Sequence, residues 1–273
     1  MRTSSLLSVM MKTADKAGRS LIRDFGEVEQ LQVSLKGPGD FVSLADKRAE
    51  SIIIEELQKA RPKFSIIAEE GGEIEGSDPE HIFYIDPLDG TTNFLHGIPL
   101  FAISIGLEHR GEMIAGVVYN PAMGEMFFTE KGLGAFVVGM DDKERRLRVS
   151  GRKRLEDCVA TCGIPHIGRG SLPEFYAQLN EIAPQVAGLR RTGSSALDLA
   201  WLAAGRFDAY FEMDLKPWDI AAGIILVKEA GGKITGHTGE SDMLKTGHVV
   251  AGPKPIQEMV QAKIAKVASE YRK

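Results

Sequence analysis

Two acids, Glu69 and Glu70, directly follow the apolar run Ser65-Ile66-Ile67-Ala68, and a second run, Ile82 to Ile85, leads into Asp86-Pro87-Leu88-Asp89-Gly90-Thr91-Thr92-Asn93. Loops at strand ends are where active sites are commonly built. In an unbroken strand Asp86 and Asp89 face opposite ways, so the spacing predicts that Pro87 breaks the ladder and turns both carboxylates toward one point. Convergent acids make a poor core and a good seat for a hard cation. Gly90 and the small polar residues after it can open a short helix whose free N–H groups face an anion. Acids beside an anion hole repel its ligand unless a metal intervenes, and that combination suits a Mg²⁺-dependent phosphate site. Taken alone, Asp-Pro-x-Asp-Gly fits a turn with an Asp cap equally well.

Two further acids open predicted helices: Asp219 in Lys216-Pro217-Trp218-Asp219-Ile220-Ala221-Ala222-Gly223, and Asp46 after Val42-Ser43-Leu44-Ala45. Each is also explained as a helix-start acid favoured by the dipole. Helical spacing is predicted from about Ser4 to Phe25 and from Ala45 to Ala60, with a mobile Lys-Gly-Pro-Gly-Asp turn between. Short apolar runs from Ser65 to Phe128 predict strands, and turns such as Arg110-Gly111 suggest antiparallel pairing. The second half alternates strands (Val159 to Cys162, Ala209 to Met213, Ile234, Val249) with helices (Pro173 to Ile182, Ser195 to Ala204, Pro217 to Ala230, and from Pro255). The pattern is mixed α/β, with a soft division near residue 145. Residues 1–145 hold most of the acids and 146–273 hold Asp219, the two halves forming one compact unit.

The 273 residues carry 33 basic and 38 acidic side chains, a net charge of −5, with 43% hydrophobic residues. That composition suits an ordinary globular chain and excludes disordered, collagen-like and disulfide-scaffold classes. No apolar run approaches the roughly 18 residues of a spanning helix. The N-terminus lacks a secretory core before Lys12 and Asp15. Cys158 and Cys162 would lie roughly 13 Å apart in an extended segment, too far to bridge, so they are expected as small buried hydrophobes in a reducing, cytoplasmic setting. His166 lacks the further ligands a zinc site needs.

In order and spacing, Asp46, Ala68-Glu69-Glu70, the Asp86 to Asn93 motif and Trp218-Asp219-Ile220-Ala221-Ala222-Gly223 together resemble the inositol monophosphatase family of Mg²⁺-dependent, lithium-sensitive phosphatases. The likeness is closest to bacterial members of the extragenic-suppressor type. Arg190-Arg191-Thr192-Gly193-Ser194-Ser195-Ala196 and Asp208 to Met213 support it. The resemblance implies a layered αβαβα sandwich, a homodimer, and two or three Mg²⁺ per subunit. It implies Glu69, Asp86, Asp89, Asp219 and the Leu88 carbonyl as metal ligands, with Glu70 at a weaker ion. Asp46 and Thr91 would activate water beside Glu69, while Gly90 and Thr91 N–H groups hold phosphate. Asp89, Gly193, Ser194, Ser195, Glu212 and Asp219 would face the substrate, and Lys36 would approach on its loop. Ser43 and Ser195 replace the Thr and Ala usual in the family, which bears on substrate preference.

The implied reaction is hydrolysis of inositol 1-phosphate by direct attack of water. Other sugar or nucleotide phosphates, fructose 1,6-bisphosphate among them, are the alternatives. Glu212 discriminates, since an acid suits cyclitol hydroxyls and disfavours a second phosphate. A different class of role is suggested by residues 143–154, seven basic side chains in twelve with one acid. Such a stripe fits RNA or an acidic protein, and bacterial relatives of this type have been linked to transcription antitermination. Solvated charges on a strand and turn explain it too, since no aromatic residues interleave.

Overall fold

The computed structural model describes residues 3–25, 33–37, 40–165 and 170–271, with backbone alone for 33–37 and 40–43. The side chain of Lys36 and all of His166 therefore lie outside the described residues. Helix α1 (Ser5–Phe25) is followed by paired strands β1 (Val33–Gly37) and β2 (Asp40–Ser43), then α2 (Leu44–Ala60). The Gly-Pro segment thus has strands on both sides of it, where the sequence suggested only a turn. Next come β3 (Phe64–Ala68), β4 (Gly72–Ile74), β5 (Asp78–Asp89), the short helix α3 (Thr91–Leu95), β6 (Ala102–His109), β7 (Glu112–Asn120), β8 (Glu125–Glu130), β9 (Gly134–Val138) and β10 (Glu144–Arg146). The remainder is β11 (Val159–Cys162), α4 (Leu172–Ile182), β12 (Gly188–Arg190), α5 (Ser195–Ala203), β13 (Ala209–Glu212), α6 (Pro217–Glu229), β14 (Lys233–Thr235), α7 (Met243–Thr246), β15 (Val249–Gly252) and α8 (Lys254–Tyr271).

These elements stack in five layers. Helices α1 and α2 pack on one face of an eight-stranded sheet ordered β10-β9-β8-β7-β6-β5-β3-β4, through Leu7, Met10, Ala49, Ile53, Phe83, Ile103 and Val117. Helices α5 and α6 fill the middle, between that sheet and a five-stranded sheet ordered β12-β11-β13-β15-β14. In α6, Ile220 to Val227 are all buried, as a helix covered on both sides requires. Helices α4 and α8 close the outer face of the small sheet through Phe175, Ile256, Val260 and Ile264. The αβαβα sandwich is therefore present. Cys158 and Cys162 are free and buried in the small-sheet core, and burial pushes their thiols up to about 11 and about 12.

Two departures from the expected pattern position the acids. Strand β5 does not pair antiparallel with β3: Ser65 to Ala68 run parallel to Ile82 to Ile85, because the short β4 doubles back on the far side of β3. Both strands therefore finish at the same end of the sheet. Pro87 interrupts the ladder as expected but does not end the strand. β5 continues to Asp89 with a register shift, Asp86 pairing with Ser104 and Asp89 with Ala102. That bulge places three residue steps of β5 opposite two of β6, and the extra residue changes which face Asp89 meets.

The middle layer sits close. A Cβ on Gly106 of β6 would lie 2.6 Å from Ala221 Cβ, and one on Gly116 of β7 would lie 2.8 Å from the Ala222 carbonyl oxygen. Small residues on both sides let α6 approach the large sheet.

Candidate active site

One cavity of about 130 Å³ collects the ends of these elements. Glu69 directly follows β3, while Asp86, Leu88 and Asp89 come from the bulge of β5. Gly90 to Thr92 open α3, Gly193 to Ser195 and Asp198 open α5, Glu212 ends β13 and Asp219 opens α6. Asp46 and Glu70 are not among the lining residues. Asp46 is fully buried at the start of α2 and reaches the cavity through Thr91, whose Oγ lies 3.1 Å from both Asp46 Oδ1 and the Leu88 carbonyl oxygen. A hydroxyl has one proton, so Thr91 donates to one of these at a time. Glu70 donates its backbone N–H to Glu50 Oε2 at 2.8 Å.

Local structure holds each group. Parallel pairing of Ala68 with Ile85 sets Glu69 beside Asp86, and the Glu69 N–H donates to the Ile85 carbonyl at 3.1 Å. Asp86 Oδ1 accepts from the Leu88 N–H at 2.9 Å, closing the turn around Pro87. Gly90 caps α3 at φ 94°, a left-handed conformation that costs glycine little. Asp89 Oδ2 accepts from Ser194 Oγ at 2.6 Å and from the Ala196 N–H at 2.7 Å. Ser194 also caps α5 by accepting from the Leu197 N–H, so one hydroxyl fixes both helix and acid. Asp219 Oδ2 accepts from the Lys216 N–H at 2.8 Å. It is a helix-start acid and a cavity acid at once.

The electrostatics are lopsided. Seven carboxylates, Glu69, Asp86, Asp89, Asp198, Glu212, Asp214 and Asp219, line the cavity with one guanidinium, Arg191. Burial, followed by repulsion from Glu69, Asp89 and Asp219, holds Asp86 well above the usual carboxylate range. Burial and then Asp89 do the same to Asp219. Asp89 is pushed up to about 6 by burial, against the bonds from Ser194 and Ala196. Carboxylates that resist ionising in each other's company need a counter-cation to stay charged. The donor set is all oxygen, which suits Mg²⁺. Among the described residues the acids line an open cavity and do not close into a ready cage.

Several lining groups were not apparent from the sequence. Asp198 is buried and accepts from Thr192 Oγ1 at 2.8 Å, and burial pushes it up to about 8. Its one sequence signal is an acid inside the apolar run Ser195-Ala196-Leu197-Asp198-Leu199-Ala200. Glu50, outside the cavity lining and one helical turn after Asp46, accepts the Glu70 N–H. Arg191 and Asp214 gave no signal beyond their neighbours.

The geometry agrees with comparison to known proteins. The inositol monophosphatase family model matches residues 2–273. A Mesorhizobium japonicum protein named inositol-1-monophosphatase is 55% identical over 98% of this chain and 99% of its own length. A Pseudomonas aeruginosa protein named Nus factor SuhB is 41% identical over 90% and 91%. The crystal structure of the extragenic suppressor protein suhB from Bartonella henselae superposes with a TM-score of 0.91 at 51% identity, covering 96% of this chain and 98% of that one. With a full-length family match, such relatives and a cavity of this design, the chain belongs to the inositol monophosphatase family.

Proposed function

We propose that this chain is a Mg²⁺-dependent phosphate monoesterase that converts inositol 1-phosphate to inositol and phosphate. The observation that carries the reading is the convergence of Glu69, Asp86, Asp89 and Asp219, from three separate stretches of chain, beside the start of α3. Glu69, Asp86, Asp89, Asp219 and the Leu88 carbonyl would hold the ions, two or three per subunit, with Glu70 near the weakest. Bound there, Mg²⁺ supplies Lewis acidity toward water and neutralises charge on the ester. Phosphate esters hydrolyse so slowly unaided that electrostatic stabilisation must supply most of the acceleration.

The chain's own residues do the rest. The Thr91 hydroxyl, donating to Asp46 Oδ1, leaves its oxygen lone pairs to receive a proton from the attacking water. Free N–H groups at Gly90 and Thr91 hold the phosphate oxygens. Gly193, Ser194, Ser195 and Glu212 face the alcohol. Direct attack by water is favoured because Ser194 spends its proton on Asp89, and no His or Cys lines the cavity among the described residues.

Steady-state rates with Mg²⁺ should be higher on inositol 1-phosphate than on fructose 1,6-bisphosphate, and the reverse order overturns the substrate assignment. Lithium at millimolar concentration should inhibit. The working form is a homodimer in the cytoplasm; no helix among the described residues is long and apolar enough to cross a membrane.

A second reading is supported by the name Nus factor SuhB, carried by a relative at 41% identity. It assigns residues 143–154 to binding RNA or an acidic protein. This segment is largely exposed, with β10 at a sheet edge. Several of its charges already have acidic partners: Arg145 with Asp141, Arg152 with Asp208, and Arg154 with Glu156 and Asp157. Neutralising Arg145, Arg146, Arg148 and Arg152 should weaken such binding, and unchanged binding removes this surface.

A further inference from the structure

We propose that Tyr210 is a specificity-determining positioning residue, which aims the Glu212 carboxylate at substrate hydroxyls with Gly163 providing the space it occupies. The inference rests on the phosphatase reading above and deepens it. Tyr210 and Glu212 are two apart on β13, so their side chains share the sheet face that meets α5 and α6. Tyr210 is fully buried in that layer, and its hydroxyl donates to Glu212 Oε2 at 2.7 Å. Glu212 stands at the strand end, where it lines the cavity. Its other oxygen is left to hydrogen-bond with substrate hydroxyls.

The strand end that carries Glu212 is held through its backbone as well. The Glu212 carbonyl oxygen lies 2.9 Å from Nε2 of the buried His237, so that nitrogen carries the proton and donates. A Cβ on Gly163 would overlap the Glu212 carboxyl group itself. A methyl there therefore displaces the carboxyl group from the position in which Tyr210 holds it. Burial, and then the Glu212 charge, hold the Tyr210 phenol well above its ordinary range, so it remains a donor at neutral pH. A carboxyl group fixed on one side by a donor in a rigid strand discriminates hydroxyl-bearing substrates more sharply than a freely rotating acid.

The test compares kcat/KM on inositol 1-phosphate with kcat/KM on p-nitrophenyl phosphate, which offers no hydroxyls. Tyr210→Phe, which preserves the buried ring, should lower that ratio about tenfold, mainly through KM for inositol 1-phosphate. Gly163→Ala should lower it similarly. If Tyr210 acts through Glu212, adding Tyr210→Phe to Glu212→Ala should lower the ratio no further. An unaltered ratio in Tyr210→Phe, or losses that add in the double variant, overturns the positioning role while leaving the phosphatase reading intact. Absence of turnover on both esters by the unsubstituted enzyme sinks that reading, and this role with it.

Discussion

Strand β5 carries acids at both ends, and they behave oppositely. At its start the part-exposed Asp78 and the exposed Glu80 have nitrogen partners: His81 Nδ1 lies 2.9 Å from Asp78 Oδ2, and Arg110 lies 2.9 Å from Glu80. Partial desolvation works upward on Asp78, but the His81 and Glu80 N–H bonds outweigh it and hold the group below the usual range. At the other end Asp86 and Asp89 are pushed up by burial and by other acids. One strand thus separates acids that already have local partners from acids that lack a counter-charge. A surface ion pair of the first kind contributes little. The second kind is costly unless something else binds, and that cost marks a site.

The largest effect should separate the two ends outright. Asp89→Asn should cut Mg²⁺-supported turnover about a thousandfold, on the scale of losing a preorganised electrostatic partner, with the fold intact. Asp78→Asn should leave the rate within about twofold. Near-normal turnover in Asp89→Asn would refute the ligand set. Thr91→Val should cost about a hundredfold, the usual scale for a lost proton acceptor, and a wild-type pH–rate profile with wild-type rate would remove Thr91 and Asp46 from the mechanism.

Thermal unfolding sharpens the contrast further. Mg²⁺ at about 100 times its Kd should stabilise the folded chain by about 2.7 kcal/mol, and the shift should be lost with chelator and diminished in Asp89→Asn but kept in Asp78→Asn. The smallest effect is in pH dependence. In chelated protein the folded state takes up a proton at Asp89 between the ordinary value of 3.8 and about 6, where the unfolded chain does not, so its contribution falls as pH rises through that window. Asp78 works the other way: its contribution is present above its ordinary 3.8 and lost as pH falls through its lowered folded value. Stability profiles of Asp89→Asn and Asp78→Asn against wild type should therefore diverge with opposite sign. Parallel profiles would erase the distinction.

The residues flanking strand ends and helix starts were legible because local chemistry marks them. Glu69, Asp86, Asp89 and Asp219 each follow an apolar run or open a helix, and all line the cavity. What the sequence could not convey was pairing. The turn back through β4 makes β3 and β5 parallel, and the bulge at Asp86 to Asp89 is visible only against β6. Tyr210 and Asp198 were illegible for a related reason: each is one polar group in an apolar element, and its role depends on a partner fixed by tertiary contact.

The close seat of α6 on Gly106 and Gly116 has a consequence for how tightly cations are held. Asp219 travels with α6, whereas Asp86 and Asp89 travel with the large sheet, so the interlayer gap acts as a caliper on the carboxylate constellation. A methyl group at position 106 lies far from the cavity in sequence, yet it would widen that caliper. If these acids hold cations as proposed, affinity in this architecture can be retuned by residue size at a helix–sheet contact, with every proposed ligand left unchanged.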